Sequence, residues 1–257
     1  MEIFILPSEE AIGKAIADRI EEVFTARPQA NLGVATGSSP LPTYRELIAR
    51  VAAGRLSFKD SHFFMLDEYV GIAEDHPERY HNVIHTEIAS QVDVKPENVH
   101  GPEGNAEDLQ VAVKEYDQLI KDKGGVALQI LGIGSDGHIA FNEPGGSLVS
   151  RTHVDTLTKQ TRVDNARFFD DDLSKVPTHC VTQGLGTIMD AEELCLVATG
   201  ANKAEAVAQM VEGAISAMWP ATIMQMHPNA KVFLDEAAAS KLKLIDYYRE
   251  MQAAESH

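Results

Sequence analysis

Residues 126–144 read Val126-Ala127-Leu128-Gln129-Ile130-Leu131-Gly132-Ile133-Gly134-Ser135-Asp136-Gly137-His138-Ile139-Ala140-Phe141-Asn142-Glu143-Pro144. Positions 126–133 are an aliphatic run entered through Gly124-Gly125 and read as a buried strand. Everything polar follows its carboxyl end, where open α/β sheets bind ligands. Glycines at 132, 134 and 137 let the backbone turn sharply and approach a ligand closely. Asp136 and Glu143 flank His138, an arrangement that can fix the imidazole tautomer for proton transfer near neutral pH. An isolated Asp-Gly-His tripeptide is more often a polar loop whose histidine caps a neighbour; the longer string carries the acid/base reading.

Outward from this strand, strand-like runs alternate with helical patterns, which predicts an α/β, Rossmann-like fold: a mostly parallel sheet covered by helices on both faces. Residues 9–26 read as a helix with Ile12, Ala15, Ile16, Ile20 and Val23 on one face. Strands are expected at 31–35, 62–66, 193–198 and 231–234, and helices at 40–53, 77–89, 107–121, 200–217 and 237–251. A chain of 257 residues that is 44% hydrophobic can bury one substantial core, so residues 1–257 are expected to form a single domain. Residues 152–179, rich in Thr, Asp and Arg, show little periodicity and are expected to be an irregular lid or a surface excursion.

The net charge of −17 argues against a nucleic-acid partner, which requires clustered Lys and Arg. It also repels anionic ligands, so an anion site here needs local cations; Arg162, Arg167 and Lys203 are the candidates. No apolar stretch approaches the length of a membrane span, and the amino-terminal segment lacks the basic region of a signal peptide. The two cysteines, Cys180 and Cys195, make no disulfide framework and fit a reducing cytoplasm. No familiar metal-ligand pattern is present.

Thr36-Gly37-Ser38-Ser39 lies between an expected strand and helix, where amides and hydroxyls can hold a phosphate. The alternative is an ordinary helix cap by Ser38 or Ser39. Gly200 and Lys203 repeat the design with a cation added, and two such turns on neighbouring strands could share one phosphate. Arg167 offers a guanidinium fork suited to phosphate, or a surface ion pair with the surrounding aspartates. Asp67 emerges just past the run Phe63-Phe64-Met65-Leu66, either at the same sheet edge as the 132–144 loop or as a turn cap.

The string from Leu131 to Pro144 resembles the signature of the glucosamine-6-phosphate deaminase family. Met65-Leu66-Asp67-Glu68-Tyr69-Val70-Gly71, Thr36-Gly37-Ser38-Ser39-Pro40, Thr161-Arg162-Val163 through Arg167-Phe168-Phe169, Gly184-Leu185-Gly186-Thr187 and Met226-His227-Pro228 match it in order and spacing. The resemblance implies the sugar-phosphate isomerase type of this fold, a lid at about 152–179, and isomerisation plus deamination of glucosamine 6-phosphate. It assigns Asp67 as the base, leaves Glu68 structural, and makes Asp136, His138 and Glu143 a proton relay. Thr36, Gly37, Ser38, Ser39, Arg167 and Lys203 would bind the substrate phosphate. The implied chemistry needs no metal or organic cofactor, and the implied partner is a small sugar phosphate. Oligomeric state stays open, a homo-oligomer included.

The nearest competitor is 6-phosphogluconolactonase, which carries a similar Gly-x-Gly-x-Asp-Gly-His string; Phe141-Asn142-Glu143-Pro144 and Asp67-Glu68-Tyr69 favour the deaminase. A non-catalytic sugar-phosphate sensor is disfavoured by the intact carboxylates at 67, 136 and 143. Allosteric members, activated by N-acetylglucosamine 6-phosphate, carry a serine, an arginine and a lysine where this chain has Gly146, His153 and Asp155. Such activation is therefore not expected.

Overall fold

The computed structural model describes residues 1–255; Ser256 and His257, the end of the expected domain, lie outside the described residues. The chain runs β1 (Glu2–Leu6), α1 (Glu9–Ala26), β2 (Leu32–Val34), α2 (Leu41–Ala52), β3 (Phe63–Met65), β4 (Asp67–Tyr69), α3 (Tyr80–Glu87), β5 (Val99–His100) and α4 (Leu109–Asp122). It continues through β6 (Leu128–Leu131), β7 (His153–Thr156), α5 (Lys159–Asn165), β8 (His179–Thr182), α6 (Leu185–Ile188), β9 (Leu194–Ala198), α7 (Ala204–Glu212), β10 (Ala230–Asp235) and α8 (Ile245–Glu255).

Seven strands form one sheet in the order β1-β10-β9-β6-β2-β3-β5, with every pair parallel. Successive side chains on a strand point to opposite faces, so the unbroken burial of β2, β6 and β9 means that both faces are covered. Ser8 caps α1 by accepting the Ala11 amide, with Glu9 and Glu10 in the first turn. Helices α1 and α2 touch at Gly13, where an added Cβ would stand 2.5 Å from the Pro42 carbonyl carbon. The expected parallel sheet and its helices are therefore present.

A second sheet was not foreseen: β4, β8 and β7 pair antiparallel in that order. The chain leaves the parallel sheet after Met65, whose carbonyl accepts from the Tyr116 hydroxyl (2.6 Å) and Gln183 Nε2 (2.9 Å). The Gln183 amide bonds the Leu66 carbonyl at 2.7 Å, which turns the next three residues into β4. This corrects the irregular reading of residues 152–179 in part: β7, α5 and a 3-10 turn at Ala166–Phe168 are regular and His179 opens β8, while residues 169–178 form turns and irregular chain as expected. Strand β7 is short and nowhere fully buried, so its sequence carries no alternation to read.

Two helix bounds also change. The helix expected at 200–217 is a 3-10 turn, Ala201–Lys203, followed by α7, which stops at Gly213. An added Cβ there would meet the Gln209 carbonyl oxygen at 2.4 Å. The terminal helix begins at Ile245 rather than 237, because the Asp235 carboxylate takes the Ala238 amide into a turn and Glu212 accepts from the Lys243 and Leu244 amides.

Candidate active site

The loop after β6 folds back on itself. The Gly134 amide donates to the His138 carbonyl, and an added Cβ at Gly134 would fall 2.3 Å from His138 Nδ1. Gly137 sits at φ +84° with Trp219 beneath it, 2.8 Å from the position of a Cβ, so both conformation and space demand glycine. Ala140 adopts φ +52°, a left-handed backbone that costs a non-glycine residue roughly 1–2 kcal/mol. These turns bring His138 Nδ1 to 2.7 Å from Asp136 Oδ1 and 3.9 Å from Glu143 Oε2.

The His138–Asp136 contact is close but off the N–H line, so Nδ1 lacks a full hydrogen bond; the His138 amide also donates to Asp136 Oδ1 at 3.2 Å. Burial opposes the Asp136 charge, yet the imidazole and this amide outweigh it and hold the carboxyl at about 2. With both carboxylates at Nδ1, the favoured tautomer carries its proton there and leaves Nε2 free to accept. Glu143 is buried; its Oε1 takes bonds from Thr158 and Thr161, and its Oε2 has no partner among the described residues. The donor atoms of the trio lie within 4.8 Å of one another, a spacing that could also hold a cation.

Asp67 and Glu68 are adjacent, both buried, and differently used. Both Glu68 oxygens are bonded, by the amides of Tyr69, Tyr80 and His81 and by His81 Nδ1, so this carboxylate anchors the start of α3. Asp67 has no hydrogen bond to its carboxylate among the described residues. Burial first, and the Glu68 charge second, push it up to about 8. Its strand partner Thr182 bonds the Phe141 amide, which joins Asp67 to the 132–144 loop at one sheet edge.

The Thr36–Ser39 turn is not an ordinary helix cap. Helix α2 starts behind Pro40 without any side-chain cap, so the serine hydroxyls are not consumed there. Gly37 has φ +90°, and the Tyr44 hydroxyl bonds both the amide and the carbonyl of Ala35, fixing the turn from below. Ser39 Oγ is 3.9 Å from the Cβ position of Gly132. The two phosphate-type turns do not follow neighbouring strands: β2 and β9 flank β6, so the turns stand on either side of the acid/base loop.

Burial lowers the Lys203 ammonium below the usual lysine range; Asp164 opposes this, Arg167 adds to it, and Asp136 opposes it. Lys203 thus stands near Asp164 and Arg167 on one side and Asp136 on the other. Arg167 lies over the Phe168 ring at 4.6 Å, with no ion pair to a carboxylate among the described residues. Two cations held near each other without direct partners suit an anion. Arg162 is withdrawn from that role, because its guanidinium donates to the Leu173 and Val176 carbonyls.

Sequence reasoning missed what seats the α5 segment against the rest of the fold. Tyr69, Tyr80, Phe141 and Phe169 form an aromatic cluster, and Asn165 Nδ2 donates to the Tyr69 hydroxyl at 3.0 Å. The one local signal was Thr158-x-x-Thr161, the pattern of a threonine cap before a helix. His227 of the Met226-His227-Pro228 segment is a core histidine bonded to the Ala191 carbonyl.

Residues 8–233 match the family model described as glucosamine-6-phosphate isomerases/6-phosphogluconolactonase. The chain belongs to this family. A glucosamine-6-phosphate deaminase of Mycolicibacterium smegmatis is 60% identical over 254 residues, covering 99% of this chain and 97% of the relative. One from Beutenbergia cavernae is 57% identical with the same coverage. The solved structure of a monomeric glucosamine-6-phosphate deaminase superposes with a TM-score of 0.91 at 39% identity, over 94% of this chain and 100% of that one.

Proposed function

We propose that this chain isomerises and deaminates glucosamine 6-phosphate, giving fructose 6-phosphate and ammonia in amino-sugar breakdown. The observation that carries this reading is the presence of two separate proton-handling centres at one sheet edge. One is Asp67, buried and with no hydrogen bond to its carboxylate among the described residues; the other is His138 between Asp136 and Glu143. Hydrolysis of a lactone needs a base for water but no abstraction of a carbon-bound proton, so it leaves the second centre without work.

The phosphate binds between the Thr36-Gly37-Ser38-Ser39 turn, Lys203 and Arg167. His138 Nε2 takes the anomeric hydroxyl proton and returns a proton to the ring oxygen, opening the ring. Asp67 then removes the C2 proton while the C1 carbonyl oxygen takes one proton from the C2 ammonium, giving an enolamine; Asp67 returns its proton to C1, leaving an iminium at C2. Water adds to C2, and the C–N bond breaks with release of ammonia. The C2 ammonium of the bound sugar lies one atom from the abstracted proton, and its charge favours the Asp67 carboxylate over the acid. No step needs a metal or organic cofactor. The reading supports a small-molecule partner; the acidic, disulfide-free chain supports a cytoplasmic setting, and among the described residues no helix is long and apolar enough to cross a membrane.

The test is incubation with glucosamine 6-phosphate, measuring ammonia and fructose 6-phosphate, beside 6-phosphogluconolactone. Equal amounts of the two products are expected, with slow or no lactone hydrolysis. Lactone turnover without ammonia release would replace this reading with the lactonase.

A further inference from the structure

Glu143 is gripped by the lid on one oxygen and turned to the histidine with the other. Its Oε1 accepts from the Thr158 amide (3.4 Å), Thr158 Oγ1 (3.3 Å) and Thr161 Oγ1 (2.5 Å). Every one of these donors belongs to the start of α5. Its Oε2 stands 3.9 Å from His138 Nδ1 with no hydrogen bond among the described residues. A buried carboxylate oxygen without a donor is unfavourable, so the bonds to Oε1 must hold the group in that attitude.

We propose that Thr158 and Thr161 are positioning residues through which the seated lid aims Glu143 at His138. This rests on the relay role assigned to His138 and Glu143 above. The two hydroxyls are 3.0 Å apart, and Thr158 Oγ1 also accepts the Thr161 amide as the cap of α5. Forming the first turn of α5 therefore presents both hydroxyls to Glu143 at once. Arg167 follows on the same short segment, two residues beyond the end of α5. A phosphate that draws Arg167 inward acts on the element that clamps Glu143, so phosphate binding and relay geometry are linked, and linked in both directions. The relay is complete only under a closed lid, which keeps the open-chain sugar from solvent while protons move.

With glucosamine 6-phosphate, Thr161→Val should lower kcat at least about tenfold, as a misaimed group does, with a smaller rise in KM through the linkage to Arg167. A threonine that only stabilised the lid would raise KM at least as much as it lowered kcat, since Arg167 would move with it while Glu143 kept its aim. Thr161→Ser keeps the hydroxyl and should recover most of the loss. In a Glu143→Gln background, Thr161→Val should add almost nothing, because the pair acts as one unit. Unchanged kcat in Thr161→Val, a serine variant as impaired as the valine, or losses that multiply in the double variant would each overturn the proposal. Failure of the unmodified enzyme to release ammonia would instead remove the deaminase reading. Amide exchange across residues 158–165 then decides: it accelerates in both Thr161→Val and Glu143→Ala if the contact seats the lid. Wild-type exchange rates in both variants would reject it.

Discussion

Asp67 and Asp136 stand at the carboxyl edge of the same sheet, and their surroundings drive them in opposite directions. Asp67 is enclosed beside the Glu68 charge with no donor to its carboxylate among the described residues, and is pushed up to about 8. Asp136 is in contact with His138 and is held at about 2 despite its partial burial. The difference lies in the supply of hydrogen-bond donors and positive charge, since both carboxylates lose water. Glu68, one residue from Asp67, makes the point again: it is more deeply buried, yet three amides and an imidazole satisfy it. Loss of water with no donors in exchange raises a carboxylate, whereas donors supplied in its place let it serve as an anchor or an orienting group.

The largest expected effect tests that division. Asp67→Asn should reduce kcat by at least about a hundredfold, the scale of general-base catalysis, while a non-reactive sugar-phosphate analogue still binds. Asp136→Asn, acting through His138, should cost less. Equal losses, or near-normal turnover in Asp67→Asn, would end the contrast between a direct base and an orienting carboxylate.

The cations on the Asp136 side come next. Lys203→Ala or Arg167→Ala should weaken binding of the phosphorylated sugar by about 2 kcal/mol, as expected for a lost charge-assisted contact. Glucosamine without its phosphate should be a very poor substrate. Unchanged affinity in both variants would place the phosphate elsewhere.

Stability should separate the two aspartates by the sign of its pH dependence. The folded-state value of Asp67 lies above the ordinary value of about 3.9, so the folded chain holds this proton more tightly than the unfolded chain. Its contribution is fully present below about pH 4 and is lost as pH rises through about 8. Asp67→Asn should therefore raise Tm, and raise it more at pH 8 than at pH 5. Asp136 behaves oppositely, contributing above about pH 4 and losing that contribution as pH falls through about 2. Asp136→Asn should lower Tm at pH 6, with the deficit shrinking in acid. Melting curves across this range check both signs.

The smallest effect is an expected zero. N-acetylglucosamine 6-phosphate should leave a hyperbolic velocity curve unchanged at concentrations too low to compete for the active site. His153 Nε2 is 3.5 Å from Asp155 Oδ2, and Nδ1 meets the Arg151 carbonyl, so His153 faces an anion already. Curves at pH 6 and pH 8 cover its protonation. A sigmoidal curve made hyperbolic by the acetylated sugar would overturn the expectation.

Much of this was legible in the chain, for identifiable reasons. β6 and β9 are buried on both faces and therefore appear as unbroken aliphatic runs. The glycines at 134 and 137 mark places where a side chain would strike His138 or Trp219, and such places can be filled by no other residue. Helix α1 shows its cap, its acidic first turn and its apolar stripe in sequence order. β4 and β7 were invisible because three or four residues of mixed polarity carry no period. α8 was misplaced because Glu212, distant in sequence, supplies its start.

By itself, then, the sequence determined the alternating parallel architecture, the glycine-rich string of carboxylates and imidazole after β6 and the two glycine-containing turns at 36–39 and 200–203, since each is written in contiguous residues. Only the tertiary structure decided that β6 separates those turns, that Arg162 bonds the Leu173 and Val176 carbonyls while Arg167 has no ion pair among the described residues, and that Thr158 and Thr161 hold Glu143. It also decided which of two neighbouring acids is left without donors. The physical reason is the same throughout: pairing, burial and the supply of hydrogen bonds depend on groups brought together from distant parts of the chain, and local sequence specifies only what each residue offers.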